Sequence, residues 1–290
     1  MTGAQPWLLF ADLDGTLIAE PKGMGRELRK LVEASLRNGG GFVPASARPV
    51  PHLAAMFGKS APGSLLIGSG GATVARSTPR SFEVLHEEAL DLREGAAPLG
   101  RMLEWRDEGL GIVFFFRGHR AAFEVAVAAG SCRLQPDDLA MIVGRRPMRE
   151  VTAPPHGDLL GVSLLAPSPV ERMRRLQAAL PVPDGWRVTA YPEYRAPGWS
   201  WLEVLPRHAT KAEACRRVIG LWREKAGGEF ETIAVGDAPD DVGMLAVAER
   251  SFCPIDASAA AREAVTEVLP AAAGEDFAAA LLERLSEPPG

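Results

Sequence analysis

Residues 10–20 read FADLDGTLIAE, an apolar run that leads into two closely spaced aspartates. Asp14-Gly15 between apolar residues is a strong signal for a β-hairpin turn, because both residues tolerate a positive φ. The stretch has a second interpretation. Asp12 and Asp14 bring two like charges into one small region, and such a pair usually takes up a cation or a proton. The remaining sequence has to decide between a turn and a chemical site.

The composition describes an ordinary globular protein. The chain has 290 residues, of which 47% are hydrophobic and 24% charged, and this length is typical of about two domains. A formal net charge of -5 argues against a nucleic-acid partner, since nucleic-acid surfaces usually carry a basic excess. The three cysteines, Cys132, Cys215 and Cys253, form no CxxC pair, which favours a reducing compartment.

The N-terminal apolar run WLLFA has no basic segment before it and fits a first strand better than a signal peptide. No stretch approaches the roughly 20 apolar residues that a membrane helix needs. We therefore expect a cytoplasmic protein with no membrane and no nucleic-acid partner, as a monomer or a homodimer.

Strand and helix patterns alternate at both ends of the chain, which predicts βαβ units around a parallel sheet. A helix is predicted between the first two strands, with Leu28, Leu31, Val32 and Leu36 on one face. The predicted strands near the N-terminus are 7–13, 42–45 and 64–68. Towards the C-terminus, a helix over 210–228 precedes a buried strand that leads into the turn at 236–237.

The middle of the chain contains more isolated strand candidates, among them GIVFFF, LLGVSLLA, GWRVTA and SWLEVL. This change predicts an α+β unit inserted into the first domain. The sequence thus predicts an α/β protein with a Rossmann-like core of residues 1–82 and 206–290, in which helices flank a parallel sheet. Residues 83–205 would form the inserted domain.

A second acidic turn, VGDAPDDVGML, follows another predicted buried strand at residues 235–245. Ligands of open α/β sheets bind outside the carboxyl ends of the strands, so Asp237, Asp240 and Asp241 could face Asp12 and Asp14. Two charges 4 Å apart repel by about 4 kcal/mol at an effective dielectric near 20, so the cluster implies a cation. Oxygen ligands alone favour magnesium over zinc. The alternative is a plain turn, with Asp240 capping the next helix.

Two further residues have both a functional and a structural interpretation. Lys211 is the only lysine between Lys59 and Lys225, and its ammonium could neutralise a carboxylate and a phosphoryl oxygen together. It could equally be a solvated residue in the first turn of a helix. The Ser46 hydroxyl, after the second predicted strand, could donate to a phosphate or serve a turn.

These signals, in the order DxD, Ser, Lys and GDxxxD, resemble the four motifs of haloacid dehalogenase (HAD) superfamily phosphatases. DLDGTL at 12–17 is similar to the first motif and GDAPDDVGML at 236–245 to the fourth, while Ser46 and Lys211 stand where the second and third fall. The position of the predicted insertion resembles the Cof-like branch, which carries a large α/β cap between the second and third motifs. The GDAP form also resembles the mannosyl-3-phosphoglycerate phosphatase group.

The resemblance implies a role for each matching residue. Asp12 would attack the substrate phosphorus and form an aspartyl-phosphate, and Asp14 would act as general acid and base. The implied metal is Mg²⁺, held by Asp12, the backbone carbonyl of Asp14, Asp237 and Asp241. The residues implied to bind substrate or phosphate are Ser46, Arg48, Lys211, Gly15 and Thr16.

Three positions depart from the family pattern. Ala47 replaces a glycine of the second motif, which narrows the backbone freedom there. Asp240 replaces an asparagine of the fourth motif and adds charge beside the metal. Gly70, in GSGGAT, stands where the branch often has an asparagine that contacts substrate.

The implied function is a Mg-dependent phosphomonoesterase that acts on a small phosphorylated metabolite, in the first place a sugar phosphate. A phosphomutase with the same aspartyl-phosphate is the alternative, and a sensor that binds a phosphorylated ligand without turnover is a third hypothesis. The cap would set the substrate. Its candidate contact residues are His119, His156, Tyr191, Arg195 and Trp199.

Overall fold

The computed structural model describes residues 5–19, 24–37, 39–93, 95–117, 123–129, 149–155, 157–192, 198–226 and 228–287. The chain divides into two compact units. One consists of Met1–His86 together with Thr210–Gly290, and the other of Glu87–Ala209. The first unit is therefore assembled from both ends of the chain and the second from its middle.

A five-stranded parallel sheet forms the centre of the first unit, in the order β14-β13-β12-β1-β2. Every residue of β1 is buried, as expected for a parallel strand that is covered on both faces. The strands of this sheet are β1 (Trp7–Ala11), β2 (Gly41–Pro44), β12 (Glu231–Val235), β13 (Arg250–Cys253) and β14 (Glu267–Val268).

Helices cover both faces of this sheet. Leu9 of β1 belongs to a core with residues of α1 and α8, whereas Leu8 and Phe10 belong to a second core with residues of α5 and α6. Successive strand residues point to opposite faces, so one strand contributes to both cores. The helices of this unit are α1 (Arg26–Arg37), α2 (Val50–Phe57), α5 (Lys211–Ala226), α6 (Val242–Leu245), α7 (Ala259–Ala264) and α8 (Glu275–Ser286).

The structure refines two expectations about the first unit. The predicted strand at 64–68 forms β3 (Leu65–Gly68), which makes a parallel bridge from Ile67 to Ala45, after the end of β2, and also pairs antiparallel with β4 (Thr73–Ser77) in a second sheet that contains β5 (Phe82–Glu87). A short glycine-rich turn after β3 reverses the direction of the chain, so that β4 runs antiparallel to β3. Leu36 was expected on the buried face of α1 and is 38% exposed, because Ser35 occupies the fourth position of the buried stripe.

The second unit contains a six-stranded sheet in the order β10-β11-β9-β6-β7-β8, antiparallel except for the β7–β8 pair. One face packs against α3 (Ala96–Glu104) and α4 (Val170–Ala179) around Met102 and Met173. The strands are β6 (Gly111–Arg117), β7 (Phe123–Ala128), β8 (Arg149–Val151), β9 (Asp158–Ala166), β10 (Trp186–Pro192) and β11 (Ser200–Pro206).

The predicted fold class is confirmed: a parallel sheet flanked by helices is combined with a separate α+β unit from the middle of the chain. Across the described part of the chain, no helix has both the length and the apolar character needed to cross a lipid bilayer.

Candidate active site

The two acidic turns meet because their strands are neighbours. β1 and β12 pair in parallel with Ala11 opposite Val235, so both strands end at the same edge of the sheet. Asp12 directly follows β1, and its backbone N–H donates to the Val235 carbonyl at 2.9 Å. Asp237 stands two residues beyond the end of β12. Two segments more than 220 residues apart therefore face each other at the carboxyl edge.

Three carboxylates converge at this edge. One oxygen each from Asp12, Asp237 and Asp241 lies within 4.8 Å of the other two. Asp12 and Asp241 are buried, and Asp237 is half-buried. An arrangement of oxygen ligands alone suits a hard cation such as Mg²⁺.

Lys211 supplies a positive charge to the cluster from the first position of α5. Its Nζ donates to Asp12 Oδ1 at 2.7 Å and to Asp241 Oδ1 at 2.6 Å, and lies 3.2 Å from Asp240 Oδ2. The Lys211 side chain is 4% exposed, so this ammonium is held inside the protein by carboxylates. The structural alternative for Lys211, a solvated residue in the first turn of a helix, is therefore wrong.

Asp241 also shapes the second acidic turn. Its Oδ2 accepts hydrogen bonds from the backbone N–H groups of Asp237 and Ala238 at 3.1 and 3.0 Å, while Oδ1 accepts from Lys211. The neighbouring Asp240 is outside the three-carboxylate group and its side chain is 52% exposed. Asp241 thus holds the turn in shape, whereas Asp240 contacts the lysine from the solvent side.

The DxD turn itself is tight and brings Thr16 between two carboxylates. The backbone N–H groups of Thr16, Leu17 and Ile18 all donate to the Leu13 carbonyl. Thr16 Oγ1 lies 3.0 Å from Asp12 Oδ2 and 2.5 Å from Asp237 Oδ1. The hydroxyl carries one hydrogen and so donates to one carboxylate at a time. Sequence reasoning placed Thr16 among the phosphate contacts and did not foresee this carboxylate-bridging position.

Two glycines permit close approaches that a side chain would block. Gly15 has φ +94°, and a Cβ there would lie 2.7 Å from Asp237 Oδ2. Gly71, in the turn between β3 and β4, has φ +104°, and a Cβ there would lie 2.3 Å from the Thr210 carbonyl group. Gly71 thereby lets this turn pack on the start of α5, where Lys211 stands. The family pattern draws attention to the neighbouring Gly70, and no sequence signal indicated Gly71.

Ser46 and Arg48 follow the end of β2, and Arg48 reaches Asp14. Ala45 donates its N–H to the Ala11 carbonyl at 2.8 Å, which aligns this segment with the end of β1. Ser46 is buried, and its Oγ accepts the backbone N–H of Arg48 at 3.1 Å. Gly70 donates its N–H to the Ser46 carbonyl at 3.1 Å, so the glycine-rich turn braces the second-motif segment through its backbone.

Asp14 and Arg48 form a bidentate ion pair. Arg48 Nε donates to Asp14 Oδ2 at 2.7 Å and Nη2 donates to Oδ1 at 2.6 Å. Acceptance by both oxygens is the geometry of an ionised carboxylate. Burial lowers the pKa of the Arg48 guanidinium, and the negative charge of Asp12 opposes that change.

The cluster carries an unbalanced negative charge. Burial raises the pKa of Asp12 from 3.8 to about 6, although the Lys211 charge opposes this shift. Burial also raises the pKa of Asp237 to about 6 and that of Asp241 to about 7. Burial alone would lower the pKa of Lys211, but Asp12, Asp240 and Asp241 raise it well above its ordinary value. A bound cation would relieve the repulsion that these carboxylates share.

The residues predicted to contact substrate in the inserted segment belong to a different part of the molecule. Tyr191 and Trp199 lie in the second unit, where the Tyr191 ring stacks on Trp201 with centroids 6.4 Å apart. His119, His156 and Arg195 lie outside the described residues.

One family model matches the C-terminal part of the chain. Residues 188–279 match the family model of haloacid dehalogenase-like hydrolases. No curated protein sequence matches the chain.

Solved structures resemble the chain over nearly its whole length. SMU.1108c from Streptococcus mutans is 18% identical, with 97% of this chain and 99% of that chain covered and a TM-score of 0.71. A haloacid dehalogenase-like hydrolase from B. subtilis is 16% identical, with 97% and 99% covered and a TM-score of 0.70. The HAD subclass IIB sugar phosphatase BT4131 is 16% identical, with 96% and 98% covered and a TM-score of 0.68. The resemblance predicted from the motifs is confirmed, and the chain has the fold of the haloacid dehalogenase-like hydrolases.

Proposed function

We propose that the protein is a Mg²⁺-dependent phosphomonoesterase that hydrolyses a small phosphorylated metabolite through an aspartyl-phosphate. One observation carries the proposal: buried Asp12 is held by Lys211 at 2.7 Å within a group of three carboxylates, directly beside Asp14. A nucleophile, a cation that can neutralise phosphoryl oxygens and a candidate acid thus stand at one sheet edge.

In the first step, an Asp12 carboxylate oxygen attacks phosphorus while the bond from phosphorus to the ester oxygen breaks. Phosphoryl transfer depends mainly on positioning and on neutralising the equatorial oxygens. Lys211 supplies charge for this, and the Ser46 hydroxyl can donate because its oxygen, and not its hydrogen, is used by the Arg48 N–H. Thr16 Oγ1 lies within hydrogen-bond distance of both Asp12 and Asp237 and so helps to fix the two carboxylates relative to each other.

Asp14 completes the reaction as general acid and then general base. It gives a proton to the departing ester oxygen, and in the second step it accepts a proton from the water that attacks the aspartyl-phosphate. The bidentate pair with Arg48 holds Asp14 in the ionised form that serves as the base of the second step. The proton that Asp14 then takes from water is the one it gives to the ester oxygen in the next turnover, and the protonated carboxyl keeps the Arg48 contact to its other oxygen. Release of free phosphate regenerates Asp12.

The residues present fit a divalent cation. Asp12, Asp237 and Asp241 offer oxygens within 4.8 Å of one another, and the Asp14 backbone carbonyl is the further ligand that the motif implies. Mg²⁺ bound there would neutralise negative charge on the phosphoryl group and keep Asp12 ionised. Burial is the first cause of the raised pKa values of these carboxylates, and repulsion between them adds to it; a cation bound by their oxygens would offset both.

A sugar phosphate is the substrate class that we propose. The proposal rests on the structural likeness to the sugar phosphatase BT4131 and on the GDAP form of the fourth acidic motif. We assign specificity to the unit formed by Glu87–Ala209, with Tyr191 and Trp199 as described candidates for ring contacts.

The test is phosphate release from a panel of sugar, polyol, nucleotide and cofactor phosphates, with Mg²⁺ and with a chelator. We expect Mg²⁺-dependent turnover of at least one sugar phosphate, and its loss in Asp12→Asn. Asp184→Asn, at an exposed loop position of the second unit, is the matched control and should keep full activity. Turnover in chelator, or full activity in Asp12→Asn, would refute the mechanism.

A further inference from the structure

The guanidinium of Arg48 has a second set of contacts on the side away from Asp14. Nε and Nη2 are committed to the carboxylate, which leaves Nη1 facing α2. There Nη1 lies 3.2 Å from His52 Nε2 and 3.5 Å from Met56 Sδ. His52 and Met56 are four residues apart on α2, so they share one helix face.

The direction of the histidine contact follows from the chemistry of arginine. A guanidinium has five N–H donors and no acceptor, so His52 Nε2 must be the acceptor. This requires a neutral imidazole with its proton on Nδ1. The Met56 thioether is a weaker acceptor on the same side. Helix α2 therefore provides two hydrogen-bond acceptors for Arg48 on the side of the guanidinium away from Asp14.

The local backbone explains why the contacts with His52 and Met56 affect the position of the Arg48 guanidinium. Pro49 follows Arg48 and disfavours helical backbone at position 48, so the arginine lies outside α2 and reaches across to it. A long side chain in this position has several rotamers open to it. Contacts on both sides of the guanidinium select the rotamer in which Nε and Nη2 donate to the two Asp14 oxygens.

We propose that His52 is a positioning residue for Asp14 and acts through Arg48. The proposal rests on the function proposed above, in which Asp14 protonates the leaving oxygen. The contact between His52 Nε2 and Arg48 Nη1 is the link by which His52 acts. By holding Arg48 Nη1 it fixes the guanidinium, and the guanidinium fixes the carboxylate that must meet the ester oxygen. Neither the acidic motifs nor their spacing indicates this histidine.

The consequence is a dependence on the leaving group. An alkyl phosphate needs its departing oxygen protonated, whereas p-nitrophenolate leaves readily without a proton. A misplaced Asp14 therefore slows hydrolysis of the alkyl ester far more than that of p-nitrophenyl phosphate. A general loss of structure would slow both reactions by the same factor.

The experiment compares kcat for glycerol phosphate and p-nitrophenyl phosphate in His52→Ala and His52→Gln. We expect His52→Ala to lower kcat for glycerol phosphate by about 10–100-fold and for p-nitrophenyl phosphate by less than about threefold. His52→Gln, whose amide oxygen can accept from Arg48, should recover most of the loss. His208→Ala, at an exposed histidine of the second unit, should change neither value. Equal losses on both esters, or no loss on either, would overturn the proposal.

A second measurement needs no turnover. In ¹⁵N NMR spectra of the histidine side chains at neutral pH, His52 should carry its proton on Nδ1, with Nε2 unprotonated and shifted in Arg48→Met. A protonated Nε2, or a signal insensitive to Arg48→Met, would overturn the contact itself. If the wild-type protein hydrolyses no phosphate ester, the proposed function fails while this spectrum still decides whether His52 holds Arg48.

Discussion

Two ion pairs of almost the same geometry occur in the two units. Arg48 holds Asp14 with contacts of 2.7 and 2.6 Å in the first unit, and Arg117 holds Glu87 with contacts of 2.6 and 2.7 Å in the second. Both pairs use Nε and Nη2 against the two carboxylate oxygens. Both are mostly buried, with side-chain exposures of 13% and 27% in the first and 10% and 15% in the second.

Their surroundings differ. The Asp14–Arg48 pair stands beside the charged cluster of Asp12 and Lys211 at the carboxyl edge of a parallel sheet. The Arg117–Glu87 pair joins the end of β6 to the first residue of the second unit. The geometry of an ion pair therefore does not by itself identify a functional site. What distinguishes the first pair is the unbalanced charge of the cluster next to it.

The largest effect should come from replacing Lys211, whose ammonium is the positive charge within the carboxylate cluster. Lys211→Met leaves buried carboxylates without their counter-charge and removes the phosphoryl contact that we propose for this lysine. We expect kcat/KM to fall by about 10³-fold or more, and the metal-free protein to lose about 3–5 kcal/mol of unfolding free energy. Steady-state kinetics and urea unfolding measure the two. Lys225→Met, at an exposed site on the same helix, is the control and should alter neither.

The second prediction compares the effects of replacing Arg48 and Arg117 on kcat and on stability. Arg48→Met should lower kcat for an alkyl phosphate by about 100-fold, because Asp14 loses its orientation. Arg117→Met should leave kcat within about threefold but lower the unfolding free energy by about 2–4 kcal/mol. Adding Glu87→Leu to Arg117→Met should restore part of that stability, because no unpaired charge then remains. A large kcat loss in Arg117→Met would abolish the distinction between the pairs.

The third prediction concerns pH and metal. The pKa values of Asp12, Asp237 and Asp241 are raised from 3.8 to about 6, 6 and 7, so the folded metal-free protein binds more protons than the unfolded chain between these values. Its unfolding free energy should therefore fall as the pH rises from about 4 to 7.

Mg²⁺ should offset this loss. At a hundredfold excess over its Kd it should raise Tm by roughly 5–10 °C at pH 8, and by much less at pH 5, where the carboxylates are protonated. Thermal melts at the two pH values, with and without Mg²⁺, measure the difference. An equal Tm increase at both pH values would argue that the cation binds elsewhere.

The smallest effect should come from Asp240, whose half-exposed carboxylate lies 3.2 Å from Lys211 Nζ. It competes with an anionic substrate for the ammonium. Asp240→Asn should lower KM for phosphate esters by about two- to fivefold at low ionic strength, with little change in kcat. A higher KM would mean that Asp240 supports substrate binding.

Much of the site could be predicted because motif order and strand ends are local in sequence. Parallel strands that end at one edge bring Asp12 and Asp237 together, and the structure places them so. The contacts of Thr16 with two carboxylates, and the positions of Gly71 and His52, could not be predicted in this way. Their contacts depend on which turn packs against which helix, and no periodic pattern records that information.

The differences in the fold have the same origin. β3 bridges Ala45 in parallel at Ile67, as a strand of the parallel arrangement would, and the turn after Gly68 adds β4 as its antiparallel partner. Leu36 matches a helical spacing, but burial follows the stripe that ends at Ser35. In both cases the apolar pattern predicted the strand or the helix correctly. Tertiary contacts decided how the strand paired and which helix residues were buried.

The most direct test is to capture the aspartyl-phosphate. Wild-type protein would be mixed with Mg²⁺ and acetyl phosphate, quenched in acid, reduced with borohydride and digested for mass spectrometry. An acyl phosphate at position 12 is reduced to homoserine, and we predict homoserine at that position and at no other aspartate, with none in Asp12→Asn. Reduction at a different carboxylate, or phosphate release with no modification at position 12, would contradict the assignment of Asp12 as the nucleophile.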